Sequence, residues 1–426
     1  MTEKLVPKLR FNEFHDEWKM ILLNSILSFK NGFNASKDKY GFGTKFINVS
    51  DILENNYLTY DNIQDYVNVN ENELNNYIIE YGDIVFQRSS ENREEVGTAN
   101  VYLGSQPCVY GGFVIRGKKE GKYNPFFLKE LLQSTQVRKE ITSWSGGSTR
   151  YNIGQDSLNK ISISLPSIEE QNKIADLLLK VYEKIDLLEY KYKCYKNFKK
   201  YLMQQIFTQK LRFDFDEEWN NDTIGNNSEV FGRIGFRGYT VDDLVNKGEG
   251  ALTIGGKHIS KDYQLDLSDP EYLSWEKYEE SPEIKIYNND VLLVKTASVG
   301  KVCFIENLNE PATLNPQLIV FKNIKLNNKF FYYYLTSNLF QKDIHKIKST
   351  TGIPTITQKE LLNLNIIYPS LEEQEKIVNL LSIVDKKIFA IDKNIQDIKE
   401  FKKGLLQQMF IYGYIYSKIL KYHNLI

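Results

Sequence analysis

The chain has 426 residues, 42% hydrophobic and 13% aromatic, with 54 Lys and Arg against 55 Asp and Glu for a formal net charge of −1. This length exceeds one ordinary domain, and the composition is that of folded protein, which excludes a disordered or fibrous chain. No run of eighteen apolar residues and no charged-then-apolar leader occurs, so a cytoplasmic location without a membrane partner is expected.

In chain order, the first marker is LRFNEFHDEW at residues 9–18. The apolar run GDIVF from Gly82 predicts a strand, and a polar cluster of Gln87, Arg88, Ser89 and Ser90 follows it. Residues 124–127, NPFF, are similar to the NPP[FY] loop of adenine methyltransferases, but the second Pro is missing and no Gly-rich cofactor loop precedes them. A helix start is the expected role, and the matching segment later in the chain is Asn327-Asn328-Lys329-Phe330. SWSGGSTRYN at residues 143–152 combines Gly and hydroxyl residues with Arg150 and Tyr151.

At Pro166 the sequence PSIEEQ opens a long helix. Ser167 suits the N-cap, and Glu170 stands three residues on to complete a capping box. Ile174, Leu178, Val181, Ile185, Leu188, Tyr192, Tyr195, Leu202 and Ile206 then keep a rhythm of about 3.5 residues, broken at Lys199. Seven basic residues and no acidic one fall between Lys191 and Arg212, a pattern typical of a solvated helix face. Gln204 and Gln205 close the helix, and LRFDFDEEW follows at residues 211–219.

The second half offers two further fragments, ALTIGGKH at residues 251–258 and Glu283-Ile284-Lys285. The first is an imperfect phosphate loop, with Ala for the first Gly and His where Ser or Thr would hold magnesium. The second has no preceding Pro-Asp, so neither supports catalysis. NDVLLVKTAS from Asn289 matches GDIVFQRSS as a strand-then-polar element carrying Lys295 and Thr296, and KSTTGIPT from Lys348 carries Thr351. PSLEEQ at Pro369 starts a second helix with Ser370 and Glu373 in the capping positions. Its seam is Ile377, Leu381, Val384, Ile388, Ile391, Ile395, Ile398, Leu405 and Met409, broken at Lys402. Gln407 and Gln408 end it.

Residues 153–207 align without a gap onto 356–410 at an offset of 203, with 24 identities in 55 positions. The repeat predicts units at 1–165 and 209–368, helices at 166–208 and 369–410, and a packing tail at 411–426. The first LRF element should lie near the end of the second helix. Matched seams predict a coiled coil between the helices, the alternative being that each packs only on its own domain. Cys108, Cys194 and Cys303 form no C-x-x-C pair and His15, His258, His345 and His423 are scattered, so no disulfide framework or metal site is expected.

The paired PS[IL]EEQ helices, the paired LRF elements and the two unlike intervening stretches together resemble the specificity subunits of type I restriction-modification systems, over essentially the whole chain. The resemblance implies an α+β fold: two target-recognition domains of mixed α/β structure, separated by two long antiparallel helices in a coiled coil, as a pseudo-two-fold internal repeat. It implies a non-catalytic subunit whose domains each read one half of a bipartite double-stranded DNA target, while the helices set the spacer and dock two methyltransferase subunits. Two motor and nuclease subunits join where present. S-adenosylmethionine, ATP and magnesium belong to those partners, and none is expected on this chain. On that basis the candidate DNA contacts are Gln87, Arg88, Ser89, Arg150 and Tyr151, then Lys295, Thr296, Lys348 and Thr351, with Arg or Lys suited to guanine or phosphate. Gln204, Gln205, Gln407 and Gln408 are candidates for partner binding. An assembly adaptor without sequence readout is the alternative. The near-neutral charge predicts modest DNA affinity for the chain alone.

Overall fold

The computed structural model describes residues 6–233, 237–349 and 352–410; Thr351 and the segment 411–426 lie outside the described residues. The chain divides into two compact units, one of residues 1–189 with 393–426 and one of residues 190–392. Each long helix therefore gives one half to each unit.

Unit one contains β1 (Lys19–Leu22), β2 (Leu27–Asn31), β3 (Ile84–Gln87), β4 (Ala99–Val101), β5 (Val114–Lys119), α1 (Pro125–Gln133), α2 (Thr135–Ser143), β6 (Ser162–Leu165) and the start of α3 (Ile168–Phe207). Its largest sheet runs β2-β5-β3-β4, antiparallel throughout. Both faces of β3 are buried, which is why Ile84, Val85 and Phe86 form a continuous apolar run instead of alternating. Residues 124–127 are a helix start, as expected: Asn124 Oδ1 accepts from Phe127 N at 3.0 Å and Pro125 takes the first helical position. Phe126, Phe127, Leu128, Leu131 and Leu132 of α1 are buried in the unit's core, each contributing roughly 2 kcal/mol by leaving water.

Unit two contains β7 (Asn220–Thr223), β8 (Glu229–Gly232), β9 (Val291–Val294), β10 (Val302–Phe304), β11 (Leu318–Lys322), α4 (Asn328–Thr336), α5 (Asn338–Ile347), β12 (Asn365–Tyr368) and the start of α6 (Leu371–Met409). One of its two four-stranded sheets runs β8-β11-β9-β10, the same first-fourth-second-third order as in unit one. In each unit two helices follow the sheet, and an outer strand pair, β1 with β6 or β7 with β12, leads into the long helix. Similarity that fades between the LRF and EEQ motifs thus persists as topology.

The motifs hold one another. Arg10 makes a bidentate pair with Glu170, Nε to Oε1 at 2.8 Å and Nη2 to Oε2 at 2.7 Å, and Arg212 repeats it on Glu373 at 3.3 and 2.8 Å. This corrects the capping-box expectation. Ser167 Oγ does accept from Glu170 N at 3.3 Å, but the Glu170 and Glu373 carboxylates, each 1% exposed, turn to the guanidinium because a buried charge needs a full partner. Gln171 and Gln374 tie each long helix to α1 or α4, their Oε1 accepting from Asn124 N at 3.0 Å and Asn327 N at 2.9 Å. Leu9 N donates to Gln408 O at 2.9 Å, so the first LRF element does meet the end of the second helix. Leu211 N to Gln205 O, at 3.1 Å, is its counterpart in unit two.

The two helices pair antiparallel within each unit. Ile174, Leu178, Val181 and Ile185 of α3 share a core with Leu405 and Met409 of α6 in unit one; Ile377, Leu381, Val384 and Ile388 of α6 share one with Leu202, Met203 and Ile206 of α3 in unit two. The same cores contain α1 and α4, so the two packing alternatives are both realised: each seam faces the other helix and its own domain.

The Lys residues that interrupt the seams are parts of a polar lock. In unit one Glu130 of α1, paired with Lys129 at 2.6 Å, accepts from Tyr182 OH at 2.9 Å, and Lys402 Nζ lies 4.1 Å from the centre of the Tyr182 ring. In unit two Tyr333 of α4 donates to Asp385 at 2.7 Å and Lys199 pairs with the same carboxylate at 2.6 Å. Acid and tyrosine exchange places between domain helix and long helix, while the cation holds its position.

Candidate nucleic-acid interface

The candidate loops of each unit form one structure. In unit one Ile153 N donates to Arg88 O at 3.0 Å, Tyr151 and Asn152 pair antiparallel with Ser90 and Ser89, and Ser89 Oγ donates to Asn152 Oδ1 at 2.5 Å. In unit two Ile356 N donates to Lys295 O at 3.0 Å, Thr296 bridges Thr355, and their hydroxyls stand 3.2 Å apart. Arg88 and Lys295 therefore occupy the same position. The latch residues Asn152 and Thr355 were not among the sequence candidates because their partners lie 63 and 59 residues away.

Gly147 turns the first loop with φ 125°, and a Cβ there would stand 2.1 Å from Arg150 O, so the turn requires glycine. Ala297, a non-glycine residue at φ 65°, carries backbone strain in the second loop, where Ala297 N donates to Pro354 O at 2.8 Å.

The side chains differ in availability. Arg88 is half-buried, with Nη1 donating to Gly112 O at 3.3 Å. Gln87 is 3% exposed and turned inward, its Nε2 on Ser89 O at 3.0 Å, so it supports the loop from beneath. Ser89 is spent on the latch. Arg150 pairs with Glu91 at 3.3 Å on the surface, and Tyr151 packs against the core. Lys295 is half-buried, its ammonium has no acceptor among the described residues, and burial lowers its pKa, so an incoming anion would favour its charged form. Lys348 caps the end of α5 through its own N–H on Ile344 O at 3.1 Å. In the same unit Arg138 Nη2 donates to Glu94 O and Val96 O at 2.7 and 2.8 Å; burial brings the pKa of this guanidinium down to about 10.

The other fragments have local roles. His258 Nδ1 accepts from Gly255 N at 2.9 Å, so ALTIGGKH closes on itself as a turn. Among the described residues no cluster of His, Cys, Asp and Glu could hold a metal ion, and no helix is long and apolar enough to cross a membrane. Gln204 and Gln407 expose their side chains, while the Gln205 and Gln408 carbonyls receive the LRF amides.

Two like-built units, each with a cation-bearing loop edge and half of each long helix, define a duplicated recognition frame. The model of the type I restriction modification DNA specificity domain matches residues 15–193 and 240–400, one stretch in each repeat, and the chain belongs to that family. Its function is sequence-specific DNA recognition within a type I restriction-modification system. The putative type I restriction enzyme MjaX specificity subunit of Methanocaldococcus jannaschii is 25% identical, covering 95% of both chains. The MjaVIII specificity subunit of the same organism is 21% identical over 97% of both. The crystal structure of the S subunit of the type I system from M. genitalium shares the fold, with TM-score 0.60, 15% identity, and coverage of 96% of this chain and 100% of that one.

Proposed function

We propose that this chain reads a bipartite DNA target, one half through each unit, and performs none of the chemistry itself. The observation that carries the reading is a loop edge built twice on one plan, with Arg88 or Lys295 at the same position and unlike residues around it. Phosphate contacts supply affinity and register, and base-edge contacts must differ between halves that differ in sequence. An adaptor without readout has no use for two such edges.

Two methyltransferase subunits dock on the long helices, joined where present by two motor and nuclease subunits. S-adenosylmethionine, ATP and magnesium are theirs. Support for docking comes from large apolar side chains left exposed on the helices at equivalent positions, Phe198 and Phe401, and from the exposed Gln204 and Gln407 nearby. The purified chain, incubated with labelled S-adenosylmethionine and DNA, is expected to transfer no methyl group, and to support methylation of one defined sequence once methyltransferase subunits are added. Methylation by the chain alone would overturn the assignment.

A further inference from the structure

The turn facing each candidate cation holds a residue that differs in kind between the units. Arg88 N donates to Phe113 O at 2.8 Å, and Lys295 N donates to Gln317 O at the same 2.8 Å. The ladders agree, Gln87 opposite Val114 and Val294 opposite Leu318. The turns close alike, Val114 N on Gly111 O at 2.8 Å and Leu318 N on Asn315 O at 3.2 Å. Phe113 and Gln317 thus hold one structural position beside one cation.

Phe113 is 58% exposed between buried neighbours. A phenyl ring held in water at a strand turn gains free energy from an apolar contact in a complex. Gln317 is exposed too; its Oε1 takes only long bonds, 3.4 Å from Gly256 N and 3.5 Å from Asn315 Nδ2, and its Nε2 has no acceptor among the described residues. In the DNA major groove thymine presents a C5-methyl group to apolar side chains, and adenine presents N6 and N7 to an amide in two parallel hydrogen bonds. A cation common to both units suits the phosphates common to both half-sites, whereas the neighbour that changes suits a base that changes.

We propose that Phe113 and Gln317 are a matched pair of specificity determinants, Phe113 contacting a thymine methyl in one half-site and Gln317 the N6/N7 edge of an adenine in the other. This rests on the chain being the sequence-reading subunit. The test uses the complex with methyltransferase subunits and the sequence that it methylates. Each thymine of the target is replaced in turn by deoxyuridine, which lacks the methyl, and each adenine by 7-deazaadenine, which lacks N7. At one thymine the loss of methyl should weaken wild-type binding roughly tenfold, and Phe113→Ala should bind both duplexes equally. At one adenine of the other half-site, 7-deazaadenine should weaken the wild type but not Gln317→Ala. Both residues are exposed, so an unchanged melting temperature confirms that the variants fold. A defined target with Phe113→Ala or Gln317→Ala still sensitive to every replacement overturns this proposal alone. A wild-type complex that methylates no defined sequence overturns the underlying reading.

Discussion

Glu140 on α2 accepts from Ser162 N at 2.8 Å through Oε1, while Oε2 is buried with no partner among the described residues. Burial pushes its pKa up to about 7. The sign follows directly: between about 4.5 and 7 the folded chain keeps a proton that the unfolded chain loses, so stability falls as pH rises through that window and is level above it. Glu140→Gln should abolish this slope and stabilise the chain at pH 8 by about 2 kcal/mol, read from urea midpoints at pH 5 and pH 8. An unchanged difference between the two midpoints would place the titration elsewhere. Sequence gave no hint of this carboxyl, since its repeat counterpart is Asp343, which pairs with Lys346 at 2.7 Å near the surface.

Helix starts, seam period and the LRF and EEQ anchors were legible in the sequence because each is a local pattern repeated at a constant offset. The polar locks were not. Lys199 and Lys402 showed only as interruptions, because positions 130 and 333 differ as Glu and Tyr and their partners differ as Tyr182 and Asp385, so the exchange leaves no identity to align. The energetics of the lock follow from which charge is left behind. Glu130→Ala strands the buried Lys129 ammonium and the Tyr182 hydroxyl and should cost about 3–5 kcal/mol. Lys402→Met removes a cation that burial already holds below its usual ammonium value, and leaves Glu130 with both partners, so the change should stay within about 1 kcal/mol. Equal losses in chemical denaturation would mean that Lys402 carries the lock.

At the scale of the whole molecule, the family's fold was legible because the frame is duplicated, and the strand-then-polar pattern already matched Arg88 to Lys295, whereas Phe113 and Gln317 were not legible: the two cations are 207 positions apart, the residues facing them 204, and the helices 203, so no single offset superposes the candidate loop edges. What the helices do for recognition can be tested through their length. Under the proposed function the paired helices meter the unread DNA between half-sites, and a seven-residue insertion preserves the seam's period. One heptad added to each helix, after Glu189 in α3 and after Asp392 in α6, lengthens both by about 10 Å, which at about 3.4 Å per base pair is close to three pairs. Methylated-adenine mapping of the complex should then return the same two half-sites with a spacer about three base pairs longer. Insertion in α3 alone lengthens one helix of the pair without the other and should lower stability without defining a new target. An unaltered spacer in the double insertion would show that something other than helix length sets the distance between the bases that are read.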